Sequence, residues 1–147
     1  MIDEATVTRF QRDGAVCISR LFPPDELAVL PAGLDENLAQ LSPRAKIASG
    51  ADDPGRFVED FCNWQDNAHY RRFIFDSALP ETAGRLMRSA TARLYHDHMP
   101  THESGTQPPT PRQQAQPHDN DPERQNASYW TSVDTVERES TPYPWAG

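Results

Sequence analysis

In the first hundred residues, apolar side chains fall three and four positions apart in some stretches and alternate in others; beyond Pro100 neither pattern continues. The stretch "EATVTRFQRDGAVCISRLFPPDELAVL" opens with a short helix. Asp13 and Gly14 close it, a pair suited to a turn with positive φ. Val16, Ile18 and Arg20 then alternate with Cys17, Ser19 and Leu21, the two-residue period of a strand, and Pro23 and Pro24 end it. Asp25 is placed to cap a helix that carries Leu27, Leu30, Leu34, Leu38 and Leu41 on one face. Pro31 interrupts that face, which predicts a kink or two short helices.

From Ser42 to Asp60 the chain is polar and holds Pro43, Gly50, Pro54 and Gly55, so a loop is expected. Tyr70, Phe73 and Ile74 then form a helical stripe. Pro80 suits the first turn of a second helix with Ala83, Leu86 and Met87 inward. "ARLYHDHM" reads as a strand, with Leu94, His96 and His98 on one face and Arg93, Tyr95, Asp97 and Met99 on the other.

The 48 residues from Pro100 to Gly147 contain no Leu, Ile, Phe, Met or Cys and eight prolines. Val133, Val136, Tyr129, Trp130, Tyr143 and Trp145 supply most of the burial available there. At about 25 cal/mol per Å² that is little against roughly 1–2 kcal/mol for each ordered backbone residue. Composition alone therefore predicts a weakly ordered, acidic extension. The length of 147 residues suits a single domain, with only 36% hydrophobic residues and a mean hydropathy of -0.78.

A net charge of -8 without any block of Lys or Arg argues against nucleic acid as a partner. The acidic start "MIDEATVTRF" is unlike a secretory leader, and no run approaches the roughly 18 apolar residues of a membrane span. The expectation is a soluble cytoplasmic protein with no membrane partner. Cys17 and Cys62, far apart and outside any CxxC spacing, read as reduced, buried thiols.

Candidate chemistry is sparse, and no catalytic residue is predicted. There is no G-x-S-x-G elbow and no phosphate-cradling glycine loop. Asp25 and Glu81 fall at helix starts, as caps do, and Arg85, Arg88 and Arg93 read as a solvated helix face. The densest ligand-like group is His96, His98, His102 and His118 with Asp97, Asp119 and Asp121. A zinc or iron site could be assembled from them, but the spacing is loose, and a polar strand followed by a polar turn is the stronger reading.

"RFQRDGAVCISRLFPPDELAVL", "RLYHDHMPTHESGTQPPTPRQQAQPHDND" and "RQNASYWTSVDTVERES", in that order, resemble the phytanoyl-CoA dioxygenase family over nearly the whole chain. The resemblance implies an α+β, mostly β fold: an incomplete double-stranded β-helix, jelly-roll and cupin-like, with N-terminal helices packed outside. One partial domain would span 1–147, its helix and strand part at 1–99 and the Pro-rich remnant of the ligand-strand region at 100–147. Members use Fe(II), 2-oxoglutarate and O₂ to hydroxylate aliphatic carbon of a small-molecule substrate, the iron held by two His and one carboxylate.

In the family, "PTP" is followed by a run similar to Trp-His-x-Asp-Gln-Pro, whose His and Asp are iron ligands. Here the Trp position is Arg112, the His position Gln113 and the Asp position Ala115, while Gln116 and Pro117 match. Where the family resembles "LVKEPG", this chain has "PTHESG", so His102 stands for a lysine that helps hold the oxoacid. The third iron ligand and the oxoacid arginine are expected beyond "PYPWAG". Trp130 falls at a position that lies near the oxoacid in relatives. These departures imply a chain that binds neither Fe(II) nor 2-oxoglutarate and is catalytically dead. The alternative is a non-enzymatic interaction module, or a fragment that pairs with a full-length relative, with self-association through exposed strand edges.

Overall fold

The computed structural model describes residues 2–50, 52–103 and 126–134. Helix α1 runs Glu4–Asp13. Asp3 starts it, its Oδ1 accepting the Thr6 amide at 2.8 Å, and Gly14 ends it at a φ of 76°, as the Asp13-Gly14 pair predicts. The helix turns Val7 inward to meet Ile2 and Leu86. Phe10, Val16, Ile18, Leu21 and Tyr129 pack around them.

The strand expected over Val16–Leu21 is not one: the segment pairs with no strand among the described residues. Arg20 adopts a left-handed φ of 57°, which breaks the two-residue period. Val16 and Ile18 alternate because they reach the core beside α1, without backbone pairing.

The leucine-rich stretch forms two helices, α2 at Pro24–Leu27 and α3 at Val29–Ala39. The break comes at Ala28. Pro31 lies in the first turn of α3, where its missing N–H would have had no intrahelical acceptor. Asp25 does not cap: Pro23 holds the cap position without a side-chain hydrogen bond, and Asp25 is exposed. The leucines are half-buried, whereas Gly33 and Asn37 are the buried positions of α3.

Strands β1 (Lys46–Ile47), β2 (Phe57–Phe61) and β3 (His98–His102) form an antiparallel sheet in the order β1-β2-β3. All of its central strand but Phe61 lies inside the expected loop Ser42–Asp60. "FVEDF" hides its period because the buried face pairs Val58 with a carboxylate, Asp60. Strand β3 begins later than expected, since Arg93–Asp97 is not strand and most of it is exposed. It then runs past Pro100, so the boundary expected between 99 and 100 falls inside a strand.

Helix α4 (Ala68–Asp76) is capped by Asn67, whose Oδ1 accepts the Tyr70 amide at 3.0 Å, and it buries Tyr70 and Phe73. Helix α5 (Leu79–Leu86) has Pro80 in its first turn and buries Thr82, Ala83 and Leu86. Glu81 is exposed in that turn and caps nothing: Ala78 is the cap residue, with no side-chain hydrogen bond. Cys17 and Cys62 are free thiols but both are exposed, contrary to the expectation of burial.

The described residues thus form an α+β arrangement with a three-stranded sheet, and a double-stranded β-helix is not seen among them. Gln113, Ala115, His118, Asp119, Asp121 and most of the extension expected to be weakly ordered lie outside them. No helix among them is long and apolar enough to cross a membrane.

Candidate functional site

The sheet presents one face on which histidines, aromatics and a carboxylate converge. The Glu103 amide donates to the Arg56 carbonyl at 3.0 Å and the Cys62 amide to the Asp97 carbonyl at 3.0 Å. These bonds fix the phase of the antiparallel ladder, so Phe57↔His102, Glu59↔Pro100 and Phe61↔His98 are the non-hydrogen-bonded pairs, whose side chains approach most closely. The Phe57 and His102 rings stack with centroids 4.2 Å apart, and those of Phe61 and His98 at 4.3 Å. Glu59 lies between the stacks, with its Oε1 3.1 Å from His98 Nε2. Lys46 of β1 lies 5.7 Å from the Phe61 ring centre.

Burial lowers the basicity of His98 and outweighs the opposing pull of Glu59. His102 is lowered in the same way, by burial first and with Glu59 again opposing. Both imidazoles are therefore held toward the neutral form.

The sequence placed His96 with His98; the structure instead places His98 and His102 on one face, because the strand starts at His98. Four residues of strand set them roughly 13 Å apart at about 3.3 Å per residue, too far to share one ion. His96 is exposed ahead of the strand, its ring against Tyr95. Asp97 accepts the amides of Asn63 at 3.1 Å and Trp64 at 3.3 Å and so holds the turn after β2. Arg44 grips the same turn from outside, donating to the carbonyls of Phe61 at 2.7 Å and Cys62 at 3.0 Å. Among the described residues, no group of three or more His, Cys, Asp or Glu is placed to hold a metal.

Trp130 is 57% exposed. Its neighbour Tyr129 packs on the α1–α5 core, where burial raises the phenol above its usual range.

A polar cluster on the sheet's other face went unnoticed in the sequence. Asp60 is fully buried. It accepts from Asn37 Nδ2 at 2.9 Å, the Ser42 amide at 2.8 Å, the Ser42 hydroxyl at 2.5 Å and the Phe61 amide at 2.8 Å. Burial pushes its carboxyl up, but these four hydrogen bonds together outweigh it and hold the group well below the usual carboxylate range. Asn37 Oδ1 in turn accepts from Asn63 Nδ2 and the Tyr70 hydroxyl, and Asn67 Nδ2 reaches the Gly33 carbonyl. The cluster fixes α3, β2 and α4 to one another. Its only trace in the sequence is Val58 and Asp60 two apart, with asparagines at 37, 63 and 67.

The sequence profile of the phytanoyl-CoA dioxygenase family (PhyH) matches residues 10–142. The chain belongs to the phytanoyl-CoA dioxygenase family. No curated protein and no solved structure matches it. Membership implies a cupin-like fold and a family chemistry built on Fe(II) and 2-oxoglutarate.

Gln113 offers a neutral amide and Ala115 offers no donor at the two positions where the family resemblance places His and Asp. His102, which the resemblance sets at the position of the family's lysine, is stacked on Phe57, and burial holds its imidazole toward neutrality.

Proposed function

We propose that this chain derives from Fe(II)/2-oxoglutarate-dependent hydroxylases of aliphatic carbon and does not itself carry out the reaction. The observation that carries this reading is the pair Gln113 and Ala115. A dication held by one imidazole and one carboxylate has part of its charge neutralised by its ligands; an amide and a methyl group neutralise none.

The sheet face supports the same reading. His102, at the position of the oxoacid lysine, is stacked on Phe57 and held toward the neutral form, so it provides a weaker cation for a carboxylate than lysine would. In this proposal β2 and β3 are a portion of the inner wall of a double-stranded β-helix, and Trp130 lies near the former oxoacid position. The setting is the cytoplasm, where the thiols of Cys17 and Cys62 stay reduced.

Anaerobic titration with Fe(II) and 2-oxoglutarate tests the reading, because an intact site of this type gives a visible charge-transfer band. The expected result is no saturable band and no succinate above the blank. A saturable band or measurable succinate would overturn the proposal.

A further inference from the structure

We infer that residues 126–134 form a releasable strap, fastened by Tyr129 to the α1–α5 core and by Val133 to α2–α3. The segment is neither helix nor strand, so neither a ladder nor a helical turn holds it. Its first anchor is Tyr129, which packs against the cluster of Ile2, Val7 and Leu86 where α1 meets α5. Four residues on, Ser132 and Val133 form one wall of a groove whose other wall includes Leu27 of α2 and Leu30 and Pro31 of α3. The Ser132 hydroxyl donates to the Asp134 carbonyl at 2.6 Å and bends the chain at this second anchor.

Two features make the fastening weak enough to open. The phenol hydroxyl of Tyr129 is buried with no hydrogen-bond partner among the described residues, so closure carries the desolvation cost of that group against the gain from burying the ring. Val133 keeps 43% of its surface exposed, so the second anchor buries only part of a small side chain. The two helix pairs are also tied without the strap, because Glu26 Oε2 of α2 accepts the Ala78 amide at the start of α5 at 3.1 Å. They therefore stay assembled when the strap lifts. Closed, the strap shields Ile2, Val7 and Leu86; open, it uncovers them together with the α2–α3 groove.

The anchors share no partner residue, so if each acted alone their effects on stability would add. A strap behaves otherwise, since lifting one end frees the other. Urea unfolding of the full chain and its Tyr129→Ala, Val133→Asp and double variants, followed by circular dichroism, tests this. Tyr129→Ala should raise the unfolding constant between roughly tenfold and a thousandfold, the range of a minor open state. Val133→Asp should raise it about threefold or more, and the double variant no further than Tyr129→Ala alone. Additive effects, or single variants that match the wild type, overturn the inference. A rise beyond about a thousandfold would make the segment a permanent part of the core and overturn it as well. Tyr129→Phe gives an answer even if the alanine variant fails to fold: removing only the hydroxyl should lower the unfolding constant about threefold or more. An unchanged or higher constant would show that the hydroxyl is paired and the closed strap is not weakened by it, which overturns the inference.

Discussion

The carboxylate of Asp60 and the side-chain amide of Asn37 meet in the interior at 2.9 Å and join the central strand to helix α3. The buried negative charge is balanced by hydrogen-bond donors, two from Ser42, one from Asn37 and one from the Phe61 amide. This arrangement is stabilising only while every donor has its acceptor.

Replacing Asp60 by Ala leaves the buried Asn37 amide and the two half-buried Ser42 donors without their acceptor. The expected loss is roughly 3 kcal/mol or more, since each buried unsatisfied group costs about 1–3 kcal/mol. Asp60→Asn keeps one acceptor oxygen but turns an NH₂ toward a donor, so a smaller loss is expected. Urea unfolding midpoints at pH 7 should fall in the order wild type, Asp60→Asn, Asp60→Ala; an alanine variant as stable as wild type would show that the cluster carries no weight.

The same carboxylate sets the acid limit. Its pKa is depressed in the folded chain from an ordinary value of 3.8, so the unfolded chain binds the proton first as pH falls. Stability from Asp60 is complete above that ordinary value and is lost progressively below it, toward the folded pKa. Asp60→Asn should therefore flatten the dependence of stability on pH below about 4. Parallel acid-unfolding curves for the two proteins would contradict this assignment.

His102 produces a second, milder dependence. Burial depresses its pKa from 6.5, so the unfolded chain takes the proton first and stability falls as pH drops below 6.5. His102→Gln should shrink that step to the part His98 contributes, while leaving the Asp60 limb in place. Melting temperatures between pH 5 and 8 provide the check, and a step of the same size in the variant would place its origin elsewhere.

Gly33 faces α4 so closely that an added Cβ would lie 2.9 Å from His69 Cβ and 2.9 Å from Tyr70 Cε1. Alanine gains up to about 1 kcal/mol in helix propensity but must separate two packed helices, an overpacking cost of about 1–3 kcal/mol. Gly33→Ala should be net destabilising and should weaken the Asn67 bond to the residue 33 carbonyl. A rise in melting temperature would refute the close approach.

Restoring the family's ligand pair by Gln113→His with Ala115→Asp should raise Fe(II) affinity at least tenfold over the wild type. Calorimetric titration under anaerobic conditions reads this directly. Unchanged affinity would mean that the substituted positions do not correspond to the ligand strand.

Most of the helices and the family are legible in the sequence. Gly14 ends α1, the stripe of Tyr70 and Phe73 marks α4, and Pro80 with Ala83 and Leu86 marks α5. These signals are local: a turn residue and a 3.6-residue period act within a few positions of one another. Gln113 and Ala115, at the positions that the resemblance assigns to His and Asp, are legible for a similar reason, because the identity of a side chain needs no coordinates.

Tertiary structure alone decided the sheet and what lies on it. The alternation at Val16 and Ile18 looked like a strand yet serves packing beside α1, while "FVEDF", with acids at its centre, became the central strand. A strand is completed by partners distant in sequence, here residues 46–47 and 98–102, and a carboxylate can be buried in it once Asn37 and Ser42 arrive from elsewhere in the chain. Pairing register likewise brought His98 and His102 around Glu59, because the phase of an antiparallel ladder is set by both strands together and is written in neither one alone.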